Sequence, residues 1–103
     1  MASTIFSGDR QTALGYSRNG VVYGHDNQTA MGYYRNGIIY DRSNQNSVGY
    51  YRNRIIYGRD NHTAVGYYRS GVIYDSHNQA ALGYYSGVSN GIGAAALLLV
   101  LNQ

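Results

Sequence analysis

An all-β fold, a closed shallow barrel built from β-hairpins, is what this sequence predicts, and three observations carry the expectation. Gly15, Gly32, Gly49, Gly66 and Gly83 each precede a Tyr and stand 17 residues apart, and a fixed period is read first because it sets the architecture. Within each period Arg-Asn-Gly, or a variant of it, separates two short runs rich in Tyr, Ile and Val, residues that favour strands. The outermost segments complement one another: Thr4-Ile5-Phe6-Ser7-Gly8-Asp9 spells the back half of a unit and Ala81-Leu82-Gly83-Tyr84-Tyr85 the front half. Four whole units and two halves make a fifth, as a ring sealed by its own end strands requires.

The elements follow in chain order within a single domain, 1–103. Residues 4–9 form the closing half-repeat, 10–26, 27–43, 44–60 and 61–77 the whole repeats, and 78–87 the last half-repeat. In each whole repeat the central pair Asn19-Gly20, Asn36-Gly37, Asn53-Arg54 or Ser70-Gly71 reads as a two-residue type I′ turn, which needs positive φ at both positions. The signal is strongest at the two Asn-Gly pairs and weakest where Arg54 replaces Gly. The other connections, such as His25-Asp26-Asn27-Gln28, are polar and turn-forming. Short strands of about five or six residues then give a ten-strand meander. Counting from Asn19-Gly20 places Arg18 opposite Val21, Ser17 opposite Val22 and Tyr16 opposite Tyr23, with alternate pairs on opposite faces. One face carries the aromatic pairs Tyr16/Tyr23, Tyr33/Tyr40, Tyr50/Tyr57 and Tyr67/Tyr74, completed on closure by Tyr84/Phe6; the other carries the Gly ring. A β-solenoid with one 17-residue coil per repeat is the alternative fold.

After Ser86 the pattern breaks, and Gly91-Ile92-Gly93 leads into the apolar run AAALLLVL. The tail, 91–101, is too short to span a bilayer, which takes about 20 residues as a helix, and a helix that is apolar all round is a buried one. Eight strands make a barrel that its own side chains just fill, so ten leave a central space. The tail is expected to plug it, with a membrane-dipping or oligomer-forming segment as the rival. If it does, the Gly ring faces inward and the Tyr ring outward, because the glycines let a helix approach the backbone closely.

Composition limits the functions open to the chain. At 103 residues it has room for one modest core. There is no Cys, hence neither a disulfide frame nor a thiolate metal site. The start, MASTIFSGDR, lacks a basic region followed by an apolar core, so no signal peptide is expected and a cytoplasmic location is the default. Eight Arg without Lys against five Asp without Glu give a net charge of +3, a poor footprint for nucleic acid. His25, His62 and His77 occupy related but unequal turn positions, so no metal site is expected; no Ser stands in a nucleophile-elbow context and no phosphate loop is present. The chain reads as a non-catalytic protein with no cofactor.

The repeat plan and apolar tail resemble the β-flower proteins, themselves similar to the Tubby C-terminal barrel with its central apolar helix. The Tubby likeness implies contact with phosphoinositide or membrane, although no Lys/Arg motif of that type can be placed on these residues. Locally, Asn19-Gly20-Val21-Val22-Tyr23 and Asn36-Gly37-Ile38-Ile39-Tyr40 resemble the latter half of the Gln-x-Asp-x-Asn-x-Val-x-Tyr mannose site of monocot-type lectins. Gly15 and Gly32 stand where Gln would be, and Ser17 and Tyr34 where Asp would be.

The expected function is therefore a multivalent binding module. The first reading is a lectin-like carbohydrate binder in which Tyr16, Tyr23, Tyr33, Tyr40, Tyr50, Tyr57, Tyr67, Tyr74 and Tyr84 stack on sugar rings. In that reading the turn residues Asp26, Asn27, Gln28, Asn44, Gln45, Asp60, Asn61, Asn78 and Gln79 hold hydroxyl groups. Arg18, Arg35, Arg52 and Arg69 form a rim suited to phosphate or carboxylate, which makes anionic lipid head groups or a membrane surface the first alternative. A self-assembling structural protein, in effect a homo-oligomer, is the second.

Overall fold

The computed structural model describes residues 3–86 and 95–101. The expected apolar positions 91–94, and residue 87 of the last half-repeat, lie outside them. Ten antiparallel strands run in chain order: β1 (Ser3–Phe6), β2 (Ala13–Arg18), β3 (Val21–Tyr23), β4 (Ala30–Arg35), β5 (Ile38–Tyr40), β6 (Ser47–Arg52), β7 (Ile55–Tyr57), β8 (Ala64–Arg69), β9 (Val72–Tyr74) and β10 (Ala81–Tyr85). Each pairs with its chain neighbours, and β1 also pairs with β10, so the sheet is a closed barrel. That closure excludes the solenoid. The strands are unequal, six residues before each hairpin turn and three after it in the whole hairpins, rather than uniformly five or six.

The seam has the expected register, Phe6 opposite Tyr84 and Ile5 opposite Tyr85. It lacks a covalent turn and is held beyond that register by Ser86, whose N–H donates to the Thr4 carbonyl (3.0 Å) while its hydroxyl accepts from the Thr4 N–H (2.9 Å). Pairing β1 with β10 removes the two edges that an open sheet would expose.

All four hairpin turns place both central residues in the left-handed region: Asn19 and Gly20 at φ 53° and 79°, Asn36 and Gly37 at 52° and 81°, Ser70 and Gly71 at 52° and 83°. Asn53 and Arg54 adopt the same shape, at 52° and 68°. Arg54 thus holds a conformation that costs a residue with a Cβ about 1–2 kcal/mol. The turn is imposed by its neighbours in the ring and not by its own sequence.

Each link between hairpins contains a bulge that the alternation of the sequence does not reveal. Val22 faces Gly32 but Tyr23 faces Ala30, so Met31 is the extra residue, and the step recurs at Ile5/Phe6, Ile39/Tyr40, Ile56/Tyr57 and Ala81/Gly83. Bulges increase local twist and bend the strand, and one in every unit curls the sheet evenly.

The Gly face points inward. Ile5, Val22, Ile39, Ile56 and Ile73 are wholly buried. Each such side chain contributes about 1.5–3 kcal/mol on leaving water. A layer of Tyr34, Tyr51, Tyr68 and Tyr85 lies on the same face, with Ser17 in the fifth place. Tyr34 and Tyr51 meet edge to face with centroids 6.4 Å apart, as do Tyr68 and Tyr85 at 6.5 Å. The Ser17 gap is closed by Tyr34, whose hydroxyl shares a 2.8 Å hydrogen bond with the Ser17 hydroxyl. Burial raises the pKa of the Tyr51, Tyr68 and Tyr85 phenols.

Residues 95–101 of the tail fill the centre. Ala95 and Ala96 are wholly buried, Leu97 and Leu99 nearly so, and Leu97–Leu101 wind as a π-helix. Its five consecutive side chains meet the five ring glycines in ring order: Leu97 against Gly66, Leu98 against Gly49, Leu99 against Gly32, Val100 against Gly15 and Leu101 against Gly83. Distributing one residue to each of five units takes about 72° per residue, whereas 3.6 residues per turn give about 100° in an α-helix. The wider i→i+5 winding comes closer to that demand, which accounts for a helix type otherwise rare. A Cβ on Gly32 would lie 2.5 Å from Leu99 Cδ1 and 2.7 Å from the Tyr40 carbonyl oxygen. Only glycine fits where helix and strand backbone come this close.

Candidate functional site

With glycine inside, the paired aromatics form an outer girdle, and each pair is joined by an Arg. The chain alternates along β2, so Tyr16 and Arg18 share the outer face. From there Arg18 folds back along the strand until its guanidinium lies over the Tyr23 ring, 3.9 Å from the centroid. The next three units repeat this with Arg35 over Tyr40 (3.9 Å), Arg52 over Tyr57 (4.0 Å) and Arg69 over Tyr74 (3.9 Å). The expected Arg rim is therefore a set of stacked cation–π pairs. An Arg is suited to this because its flat guanidinium stacks while its in-plane N–H groups stay available.

The loop nine residues on supplies the other anchor. Arg18 Nη1 donates to Asn27 Oδ1, and the same bond joins Arg35 to Asn44 (2.6 Å), Arg52 to Asn61 and Arg69 to Asn78. Each Asn occupies a left-handed position, φ between 59° and 64°, which Asn tolerates better than most residues. These partners are neutral amides and bring no carboxylate to the guanidinium.

The carboxylates are occupied elsewhere. Asp26 accepts from the Gln28 and Thr29 N–H groups (2.9 and 3.0 Å) and from the Thr29 hydroxyl (2.7 Å), and Asp60 does the same with His62 and Thr63. These bonds, led by the Thr29 and Thr63 N–H groups, bring both carboxyls down to a pKa of about 2. Asp41 and Asp75 stand two residues earlier in their loops and reach inward to similar effect. The Ser43 hydroxyl and the Asn46 side chain hold Asp41 at about 2, and the Gln79 N–H leads in lowering Asp75. Asp9, bound first by the Ser7 hydroxyl, sits well below the usual carboxylate range.

Placed together, the expected site residues divide into three groups. Tyr23, Tyr40, Tyr57, Tyr74 and Tyr84 each have one ring face covered by a guanidinium. Asp26 and Asp60 hold their own loops, and Asn27, Asn44, Asn61 and Asn78 hold the Arg side chains. Tyr16, Tyr33, Tyr50 and Tyr67 stay half-buried beside these pairs, and Gln28, Gln45 and Gln79 are exposed. Tyr50 shares a 3.1 Å hydrogen bond with Ser47. Among the described residues no group of His, Cys, Asp or Glu could hold a metal ion, and no helix is long and apolar enough to cross a membrane.

One residue escaped the sequence reading. Arg10 lies over the Tyr84 ring at 4.0 Å and gives the fifth unit its cation. Its signal is the period itself: 17 residues before Asn27, Arg10 takes the loop position of the Asn residues, with φ 65°, while Ser86 stands where the unit's own Arg would be.

No family model, no curated protein and no solved structure matches this chain.

Proposed function

We propose that this barrel is a non-catalytic, multivalent binder of acidic carbohydrate, a polysaccharide bearing carboxylate or sulfate on its repeating sugars. The observation that carries the reading is the fivefold outer girdle, in which each unit presents an Arg stacked on Tyr and, among the described residues, none of those guanidinium groups has a carboxylate as hydrogen-bond partner. Guanidinium edges bind two oxygens of a carboxylate or sulfate through paired N–H donors. A neighbouring half-exposed ring, Tyr16, Tyr33, Tyr50 or Tyr67, offers an apolar face to the sugar beside the acid group. Equivalent sites are two strands, about 10 Å, apart across the sheet, so one flexible chain can engage several, and linked weak contacts multiply.

Shape favours a polymer over a flat surface. The molecule is a disc of 32 × 32 × 23 Å, and the girdle runs around its wall. A planar bilayer can touch only adjacent units of such a wall at one time, whereas a chain can follow the curve. The test is calorimetric titration with polygalacturonate and dextran sulfate, with neutral dextran and phosphatidylserine vesicles alongside. Binding to the two acidic polymers that weakens with salt, without binding to neutral dextran, supports the reading. Binding to vesicles alone replaces it with the lipid reading, and silence from all four leaves the structural-protein reading.

A further inference from the structure

The five units are not equivalent, and the exception has the attributes of a distinct site. At the seam Arg10 lies on Tyr84 from the opposite direction, because it springs from the loop and not from a strand end. Arg35 and Arg69 each spend one N–H on a loop Asn, and Arg18 and Arg52 each spend two; Arg10 occupies the Asn position itself and makes no side-chain hydrogen bond among the described residues. In front of it Ser86 replaces a long Arg, which opens a shallow depression of about 240 Å³ bounded by Phe6, Arg10, Ser70, Tyr84 and Ser86. The depression thus joins an exposed guanidinium that has no hydrogen-bond partner among the described residues, two aromatic rings and two hydroxyl-bearing residues. Phe6 strengthens the case, since it is the one aromatic of the girdle without a phenol.

We infer that the seam is a single-residue subsite for an acidic sugar. Its carboxylate or sulfate pairs with Arg10, and its ring lies against Phe6 and Tyr84 with hydroxyls toward Ser70 and Ser86. The choice of ligand class rests on the proposed function, and the site deepens it: four units hold a chain by avidity, while the fifth recognises one sugar and so gives the girdle a starting point. A free monosaccharide, too small to bridge units, isolates the seam from the rest.

The test is a titration of the full chain with methyl glucuronide, followed by amide and side-chain chemical shifts, with methyl glucoside as the neutral control. Shifts concentrated at Phe6, Arg10, Tyr84 and Ser86, absent with the glucoside, are expected. Arg10→Asn restores the residue that the other four loops carry at this left-handed position, so the fold is retained, and it should weaken the uronide by about tenfold or more. Arg59→Gln removes the same charge from a loop outside the depression and should leave uronide binding within twofold. Equal shifts at all five units, no shifts, or equal loss in both variants would overturn the seam site. These outcomes are separable from the polymer result: equal uronide shifts with strong polymer binding leave the girdle standing without the seam, and seam shifts without polymer binding do the reverse.

Discussion

Gly49→Ala puts the tightest contact of the barrel to the test. The added Cβ would overlap Leu98 Cδ1 and lie 2.9 Å from the Tyr57 carbonyl oxygen. Leu98 must turn aside, and the carbonyl belongs to the sheet and cannot move without bending β7. Overpacking a filled core by one methyl typically costs about 1–3 kcal/mol, and with two contacts, one of them backbone, the upper half applies. For a domain of this size about 2–3 kcal/mol lowers Tm by about 10–20 °C. Gly58→Ala is the matched control, because its Cβ would find nothing nearer than Val65 Cγ1 at 3.6 Å, and reduced freedom of the unfolded chain should leave it neutral or slightly more stable. Urea denaturation measures both. A double variant, Gly49→Ala with Leu98→Ala, should be less destabilised than the sum of the two, since the second change removes one of the clashes made by the first. Gly49→Ala within about 0.5 kcal/mol of the parent, like Gly58→Ala, would refute the close approach of tail and sheet.

Three further outcomes are expected. Arg54→Gly should raise stability by about 1 kcal/mol, because it relieves a left-handed Arg in a turn that favours Gly; no gain in the urea midpoint would mean the turn is not strained. Acid should weaken the fold over a defined range, since hydrogen bonds hold the Asp26, Asp41 and Asp60 carboxyls down to a pKa of about 2 against an ordinary 3.8. Their contribution is complete above about pH 4 and is lost as pH falls through 2, and a circular-dichroism titration of Asp26→Asn, Asp41→Asn and Asp60→Asn together should be flatter there than the parent. Leu98→Asp should prevent folding or leave an expanded state, since an unpaired charge in the plug costs several kcal/mol or forces neutralisation; a normally folded protein with a protease-sensitive tail would place the helix outside the barrel.

Much of this architecture is legible because the period is. The 17-residue spacing fixes the number of units, the complementary half-repeats imply the seam, and the Gly ring opposite an all-apolar tail implies which face turns inward. What stays hidden is whatever depends on packing in three dimensions. The bulge at Met31 leaves no mark in the alternation, because the extra residue is itself apolar. The π winding of Leu97–Leu101 answers to fivefold symmetry and not to any helix propensity. At the girdle the residue types could be named but not their relations. Nothing in the spacing shows that the fold brings Tyr23 beneath Arg18 and Asn27 to its edge, or that the loop after Asp26 closes around its carboxylate. Arg10 was readable in principle, by subtracting the period from Asn27, but its meaning depends on Ser86 from the far end of the ring.

The central claim, a girdle of five cooperating guanidinium sites, is tested most directly by removing them in steps. Affinity for polygalacturonate is to be measured by calorimetry at fixed salt for Arg35→Gln, for Arg35→Gln with Arg52→Gln, and for all four of Arg18, Arg35, Arg52 and Arg69 changed to Gln. The account predicts a graded loss, each step weakening binding several-fold and the quadruple variant by about 10²-fold or more, as expected when linked weak sites act together. Undiminished affinity in the quadruple variant, or complete loss on the first substitution alone in a protein of unchanged Tm, would contradict it.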